Sequence, residues 1–456
     1  MTIQEYFSAL KGKNVTVIGI GVSNTPLIRM LCAIGARVTA CDKKDLQALG
    51  EQGEELKKLG VTLRLGPQYL EGLTGDVIFK TPGLRFDHPA LIAAKERGSV
   101  ITSEMEVFFE LCPCTVIAVT GSDGKTTTTT LISEMLKTAG KKVWLGGNIG
   151  KPLLPEIEKI QKDDFAVVEL SSFQLHTMRR SPRIAVVTNL SPNHLDVHKD
   201  MQEYVDAKKN IFRYQGKQDV LIVNDDNDIT AAFAGEQKGA LRRFSFRHEV
   251  EEGVYYKDGA VWQNFGCPEK LLERSDIRLP GDHNVENYMA AIAAVYGLVD
   301  RKDIVKVARM FGGVKHRIEF VREVAGVRYY NDSIGSSPTR TLATLRSFPV
   351  KVHLLAGGYD KQIPFDEFGK ELPNYVKALY LTGATAAKIK TAVQKGGNGD
   401  TLPIYDVEDY RQAVRLAAEN AKPGDIVVLS PACASFDHFK NFEERGNYFI
   451  KCVEEL

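Results

Sequence analysis

Short β-branched runs alternate with helical stretches along nearly the whole chain: VTVIG, VIAVT, FAVVEL, IAVVTN, VLIVN, VHLLAG, ALYLTG and IVVLSP. A strand that is apolar on both faces has to be covered on both, and helices between successive strands supply the cover. The pattern therefore predicts an α/β chain with mainly parallel sheets and sites beyond the carboxyl ends of strands. At 456 residues the chain exceeds one ordinary core, and ~150 residues per domain gives about three domains. Residues 1–103 open with strand Val15 to Ile18, the turn Gly19-Ile20-Gly21 and a helix. Residues 104–313 start a new β run at Val116 and carry an Asp258-Gly259 hairpin signal between Val254 and Trp262. Residues 314–456 follow Phe311-Gly312-Gly313, with a first strand at Val327 to Tyr330.

Lys plus Arg number 59 against 58 Asp plus Glu, a net charge of +1. That balance gives no long-range field for gathering nucleic acid or an anionic membrane, so any anion must be held by a local site. No long apolar segment is present and MTIQEYFSALKGKN lacks signal-peptide character, so a cytoplasmic protein is expected. The seven cysteines are dispersed and odd in number, which favours reduced thiols; Cys112 and Cys114 are too close to read as a CxxC pair.

The stretch VIAVTGSDGKTTTTTL, Val116 to Leu131, carries the chemistry. Gly121-Ser122-Asp123-Gly124-Lys125-Thr126 follows a strand and opens a helix, where free N–H groups and the positive dipole end face an anion. Glycines let the backbone approach phosphate oxygens, Lys125 can neutralise phosphate charge, and the Thr126 hydroxyl is placed for Mg²⁺. Val119 stands where the common Walker pattern has its first glycine. A Mg²⁺-nucleotide also needs an oxygen ligand on a neighbouring strand end, and Glu169 ends FAVVEL. The strand IAVVTN breaks into the polar loop LSPNHLDVH, with His194, Asp196 and His198; leaving the same sheet edge as Glu169 makes His194 a site candidate.

TGSDGKTTTT, GGNIG, VVELSSFQL, NHLDVH, AKKNIF, GDHNVENYMAA, KHRIE, YNDS, AGGYDK and SPACASFDHFKNFEERG, in that order, resemble the Mur ligases. Among these the D-glutamate-adding branch is the most similar. The resemblance implies Rossmann-like outer domains around a P-loop ATPase-like centre: a UDP-sugar domain (1–103), an ATP domain (104–313) and an amino-acid domain (314–456). It implies a ligase of cytoplasmic peptidoglycan precursor synthesis, acting as a monomer. ATP would phosphorylate the carboxylate of UDP-N-acetylmuramoyl-L-alanine, and the amine of D-glutamate would attack the acyl phosphate. By the same resemblance Gly121, Ser122, Asp123, Gly124, Lys125, Thr126, Thr127, Asn284, Arg317 and Asp332 would bind ATP. Thr126 and Glu169 would attend one Mg²⁺. His194 would bind a second, together with Lys208 carbamylated by CO₂, because a carbamate can ligate a cation and an ammonium cannot. Lys208 is favoured over Lys209 on alignment with Tyr204 and Phe212. Lys125, His194 and Lys208 are the implied catalytic residues.

For the nucleotide sugar the resemblance implies Val22, Ser23, Asp42, Lys43, Thr81, Gly83 and Asn148. The turn in VTVIGIGVSN also resembles a dinucleotide fingerprint, but Asn24 occupies the third-glycine position. For D-glutamate it implies Ser336, Lys361, Ser435 and Phe442. Ile334 stands where some members carry a lysine, leaving Lys361 or Arg340 to supply a cation. Rival readings are a folylpolyglutamate synthase, a Mur ligase adding another amino acid, a P-loop switch whose hydrolysis ignores the muramoyl substrate, and an NAD oxidoreductase binding at Gly19 to Gly21.

Replacing Lys125 with alanine should lower turnover by at least about 100-fold while leaving affinity for the nucleotide sugar nearly unchanged. Steady-state assays and calorimetric titration of one folded variant check this; parallel loss of both would place the two ligands in a single site.

Overall fold

A computed structural model describes residues 1–194, 197–396 and 402–456. The chain divides into two compact units, Met1–Arg274 with Val285–Val307, and Ser275–Asn284 with Ala308–Leu456. The first unit holds two sheets. One comprises Asn14–Ile18 (β1), Arg37–Asp42 (β2), Thr62–Leu65 (β3), Val77–Phe79 (β4) and Val100–Thr102 (β5), all parallel, in the order β3-β2-β1-β4-β5. The order reverses between β1 and β4, where a doubly wound sheet leaves a crevice at its carboxyl edge. Helix α1 (Asn24–Ala33) returns from β1.

The second sheet comprises Thr115–Thr120 (β6), Val143–Gly147 (β7), Phe165–Glu169 (β8), Ile184–Val187 (β9), Val220–Asn224 (β10), Ala240–Ser245 (β11), Gly253–Lys257 (β12), Ala260–Asn264 (β13) and Pro268–Glu273 (β14). Its order is β14-β13-β12-β11-β10-β9-β6-β8-β7. Strand β6 lies between β8 and β9, so the loops after all three leave one edge side by side. The Asp258-Gly259 signal is a two-residue hairpin pairing Lys257 with Ala260, both turn residues at positive φ (50° and 75°). Helices α2 (Glu104–Leu111), α3 (Lys125–Thr138) and α4 (Met201–Arg213) belong to this unit.

The second unit carries one six-stranded sheet: Glu319–Val324 (β15), Val327–Asn331 (β16), Val352–Ala356 (β17), Val376–Leu381 (β18), Ile404–Asp406 (β19) and Ile426–Leu429 (β20), ordered β15-β16-β20-β17-β18-β19. Only the β15–β16 pair is antiparallel. Helix α5 (Phe442–Glu454) closes the chain. Among the described residues no helix is long and apolar enough to cross a membrane.

The two sheets of the first unit share one continuous apolar core, running from Phe7 and Leu27 through Phe108 and Leu154 to Val168 and Ile211. Where α2 packs in that core, the Glu104 side chain is buried and its Oε1 accepts the Leu154 N–H at 2.8 Å. Burial pushes this carboxyl up to about 7 from its ordinary 4.5, against the pull of the Leu154 and Leu153 N–H groups. A raised folded pKa means tighter proton binding in the folded chain. The stability Glu104 contributes is therefore full at low pH and is lost as pH rises from about 4.5 through about 7. Glu104→Gln should remove that slope, gaining on the parent by up to about 3 kcal/mol at the alkaline end. Urea midpoints measured across this window check it; a variant curve parallel to the parent's would contradict it.

Candidate active site

Both glycines of the phosphate loop are forced by their surroundings. Gly121 has φ +152°, and a Cβ there would lie 1.9 Å from Thr188 Oγ1; Gly124 is left-handed at φ +77°, and a Cβ would lie 2.3 Å from Asn287 Oδ1. The loop is pinned along its length. Ser122 N–H donates to the Asn189 carbonyl (2.8 Å), Asp123 N–H donates to Asn189 Oδ1 (2.9 Å), and Ser122 Oγ meets Tyr204 OH at 2.9 Å. Helices α2, α4 and α5 start on side-chain caps from Ser103, Asp200 and Asn441. Neither Gly124 before α3 nor Ser23 before α1 caps its helix with a side chain. No cap side chain therefore takes up the first-turn N–H groups of α1 and α3, which begin beyond the carboxyl ends of β1 and β6, the arrangement that suits phosphate.

Lys125 lies over the loop, its ammonium donating to the carbonyls of Gly121 (3.0 Å) and Ser122 (2.8 Å). Behind it Thr126 Oγ1 donates to Glu169 Oε2 at 2.7 Å, and Asn148 Nδ2 donates to Glu169 Oε1 at 2.8 Å. Parallel pairing of Val119 with Glu169 sets this proximity. Octahedral Mg²⁺ with ligands at ~2.1 Å separates adjacent oxygens by about 3.0 Å, so the Thr126–Glu169 pair lies close to the spacing of two neighbouring ligand positions. Thr127 is half-buried on the same helical turn, and Asp123 is exposed.

Lys208 and Lys209 are adjacent on α4 but meet different surroundings. Lys208 is 2% exposed, and its amine donates to Thr120 Oγ1 (3.0 Å) and the Gly121 carbonyl (2.9 Å), above the Tyr204 ring. Lys209 pairs with Glu236 at 2.5 Å, away from the loop. Burial, reinforced by Lys125, drives Lys208 well below the ordinary lysine range, favouring the neutral amine.

His194 is exposed, at φ +55°, with its ring 5.2 Å from Phe173. Asp196 lies outside the described residues. Further along the loop a cluster appears that no local pattern announces. Arg85 forks onto Glu203 at 2.9 and 3.1 Å, onto Asp87 at 2.9 Å through both Nη2 and Nε, and onto the Val197 carbonyl at 2.6 Å. Phe86 stacks on His176 at 4.4 Å, and His198, 4% exposed, meets Ser172 Oγ at 2.9 Å. The ligand atoms of His176, His198 and Glu203 lie within 4.8 Å of one another. Hydrogen bonds from Arg85 hold Glu203 down to about 2, so this carboxylate is already neutralised by a guanidinium. The cluster ties the loop after β4 to the helix bearing Lys208.

The loops after β1, β2 and β4 enclose a cleft of about 480 Å³ lined by Val22, Ser23, Asp42, Lys43, Thr81 and Gly83. Asp42 Oδ2 accepts the Ile20 N–H (2.6 Å) and Oδ1 accepts the Lys44 N–H (2.9 Å), so this carboxylate shapes the turn as well as facing the cleft. Asn148, grouped with these residues by the resemblance, has its side-chain amide on Glu169 Oε1.

In the second unit Asp332 is 2% exposed, accepting from Thr344 and Ser430 at 2.7 Å each; burial pushes it up to about 6 against the pull of these two hydrogen bonds and, more weakly, of Arg317. The Asn284 amide donates to the Pro280 carbonyl at 2.6 Å. Ser336, half-buried, and Lys361, exposed, lie on loops after β16 and β17; Ser435 is buried. Phe442 is half-buried, 6.0 Å from the His316 ring. Arg445, which sequence reasoning missed, is 1% exposed and donates to the carbonyls of Ser333, Cys433 and Ala434 and to Ser333 Oγ, all between 2.9 and 3.0 Å. It bolts two of these loops to α5.

Comparison with known proteins gives the same picture. Residues 119–295 match the Mur ligase middle domain and residues 316–433 the Mur ligase glutamate ligase domain. A UDP-N-acetylmuramoylalanine–D-glutamate ligase of Acetivibrio thermocellus is 54% identical over 100% of this chain and 99% of its own. One of Clostridium perfringens is 51% identical over 99% of each. A solved UDP-N-acetylmuramate-alanine ligase of Thermotoga maritima shares the fold, with a TM-score of 0.59 at 17% identity over 97% of this chain and 99% of the other. With the phosphate loop, the Glu169 carboxylate and full-length relatives of this kind in agreement, the chain belongs to the Mur ligase family.

Proposed function

We propose that this chain is an ATP-dependent ligase that joins D-glutamate to UDP-N-acetylmuramoyl-L-alanine in cytoplasmic peptidoglycan precursor synthesis. The observation that carries the reading is 54% identity over the full chain to a ligase of that name, together with a phosphate loop backed by a carboxylate and two lysines. Phosphoryl transfer to the alanyl carboxylate makes its carbonyl electrophilic at neutral pH, and the D-glutamate amine displaces phosphate. Such a transfer asks for positioned charge more than for acid–base groups.

In this reading the loop Gly121-Ser122-Asp123-Gly124, through the N–H groups that open α3, and Lys125 hold the triphosphate, with Thr127, Asn284, Arg317 and Asp332 as further nucleotide contacts. Thr126 and Glu169 would hold one Mg²⁺, and His194 with a carbamylated Lys208 would hold a second; bound metal would supply charge neutralisation for the phosphoryl transfer. The buried amine supports the modification, because only an unprotonated lysine adds CO₂: its lone pair attacks carbon, and the proton is released. The cleft beyond β1 and β4 suits the UDP moiety, and a volume of about 480 Å³ falls in the range of small-ligand sites. Ser336, Lys361, Ser435 and Phe442 are assigned to D-glutamate. The protein acts as a monomer, with domains at 1–103, 104–313 and 314–456.

A substrate panel tests the reading. Product formation is followed by mass with ATP, Mg²⁺ and UDP-N-acetylmuramoyl-L-alanine, offering D-glutamate, L-alanine, L-lysine or meso-diaminopimelate. Turnover should be confined to D-glutamate; robust turnover only with another amino acid overturns it. In the same assay Lys208→Ala should lose at least about 100-fold in kcat, with Lys209→Ala close to the parent. Equal losses would contradict the assignment of Lys208.

A further inference from the structure

Cys112 and Cys114 flank Pro113 in the segment that joins the first sheet to the second, between α2 and β6. Cys112 is extended (φ −60°, ψ 120°), and proline fixes φ at the residue between them. Residues two apart in an extended chain project to the same side. The two thiols accordingly meet, Sγ to Sγ at 3.5 Å, both half-buried beside the shared core. This pair lies at the amino edge of the second sheet, whereas the phosphate loop leaves the carboxyl end of β6, about 20 Å along the strand at ~3.3 Å per residue.

We propose that Cys112 and Cys114 form a dithiol that closes reversibly to a disulfide by exchange with a low-molecular-weight disulfide. Little movement is needed, because the sulfurs are already in contact and a disulfide requires about 2.05 Å. The Cys112 thiolate, its proton released to solvent, attacks one sulfur of the small disulfide, forming a mixed disulfide and expelling one thiolate. The Cys114 thiolate then attacks Cys112 Sγ, closing the protein disulfide and expelling the second. Two protein thiols are oxidised and one small disulfide is reduced to two thiols, with no other reactant. The hydrogen bond from Cys114 holds the Cys112 thiol below its ordinary range and raises Cys114, which suits Cys112 as attacker and Cys114 as resolver. Closure would stiffen the covalent link between the two sheets without placing a modified residue in the phosphate site.

The test exposes the native full chain to oxidised glutathione, traps remaining thiols with maleimide and maps peptides by mass. The peptide holding Cys112 and Cys114 should lose two hydrogen masses, take up no maleimide and recover both thiols on reduction. Cys267, the exposed cysteine, reports that the reagent is active by carrying a glutathione adduct. In Cys114→Ser the adduct should persist on Cys112, for want of a resolving thiol. Glutathione on Cys267 with Cys112 and Cys114 both trapped as free thiols overturns the proposal, as does a stable glutathione adduct on either of them in the parent chain.

Discussion

The candidate active site rests on a steric constraint at two positions. At Gly121 and Gly124 the backbone takes conformations that favour glycine, and at both the space a Cβ would need is filled, by Thr188 Oγ1 and Asn287 Oδ1. Close approach lets Asn189 bond the loop twice and Ser122 reach Tyr204. Once the loop is fixed, α3 begins without a side-chain cap, Lys125 arches over its own loop, and Thr126 falls beside Glu169. A larger residue at Gly121 would have to open the loop against Thr188 and the Asn189 backbone, whereas at Gly124 it would strain the left-handed backbone and displace the Asn287 side chain.

Around this loop the electrostatics is arranged by burial. Lys208 stands buried beneath it, its acceptors among the described residues being a hydroxyl and a carbonyl, and that burial favours the neutral amine. Glu203, five residues earlier on the same helix, is instead fully ion-paired by Arg85 from the loop after β4. One helix thus carries a buried lysine against the Gly-rich loop and an anchored carboxylate toward the first sheet. In the second unit Arg445 performs a comparable structural task, with backbone carbonyls in place of a carboxylate.

Much of this was legible in the sequence because it is local. The strand runs, the hairpin at Asp258-Gly259 and the strand–loop–helix order around Gly121 are written in contiguous residues, and each is present in the structure. Glu169 could be found because parallel pairing brings its strand end beside the loop. The Arg85–Glu203 and Arg445–Ser333 contacts span more than a hundred residues, and an isolated Arg in LRFD or FEERG carries no periodicity that separates it from a solvated one. Asn148 illustrates the same limit: GGNIG announces a turn, but not that its amide faces Glu169.

The central claim, that a glycine-enforced loop geometry creates the nucleotide site, is tested most directly by calorimetric titration of Gly121→Ala with a non-hydrolysable ATP analogue and Mg²⁺. The account predicts a loss of nucleotide affinity of at least about 100-fold in a folded protein that still binds the nucleotide sugar. An unchanged nucleotide affinity in that folded variant would contradict it.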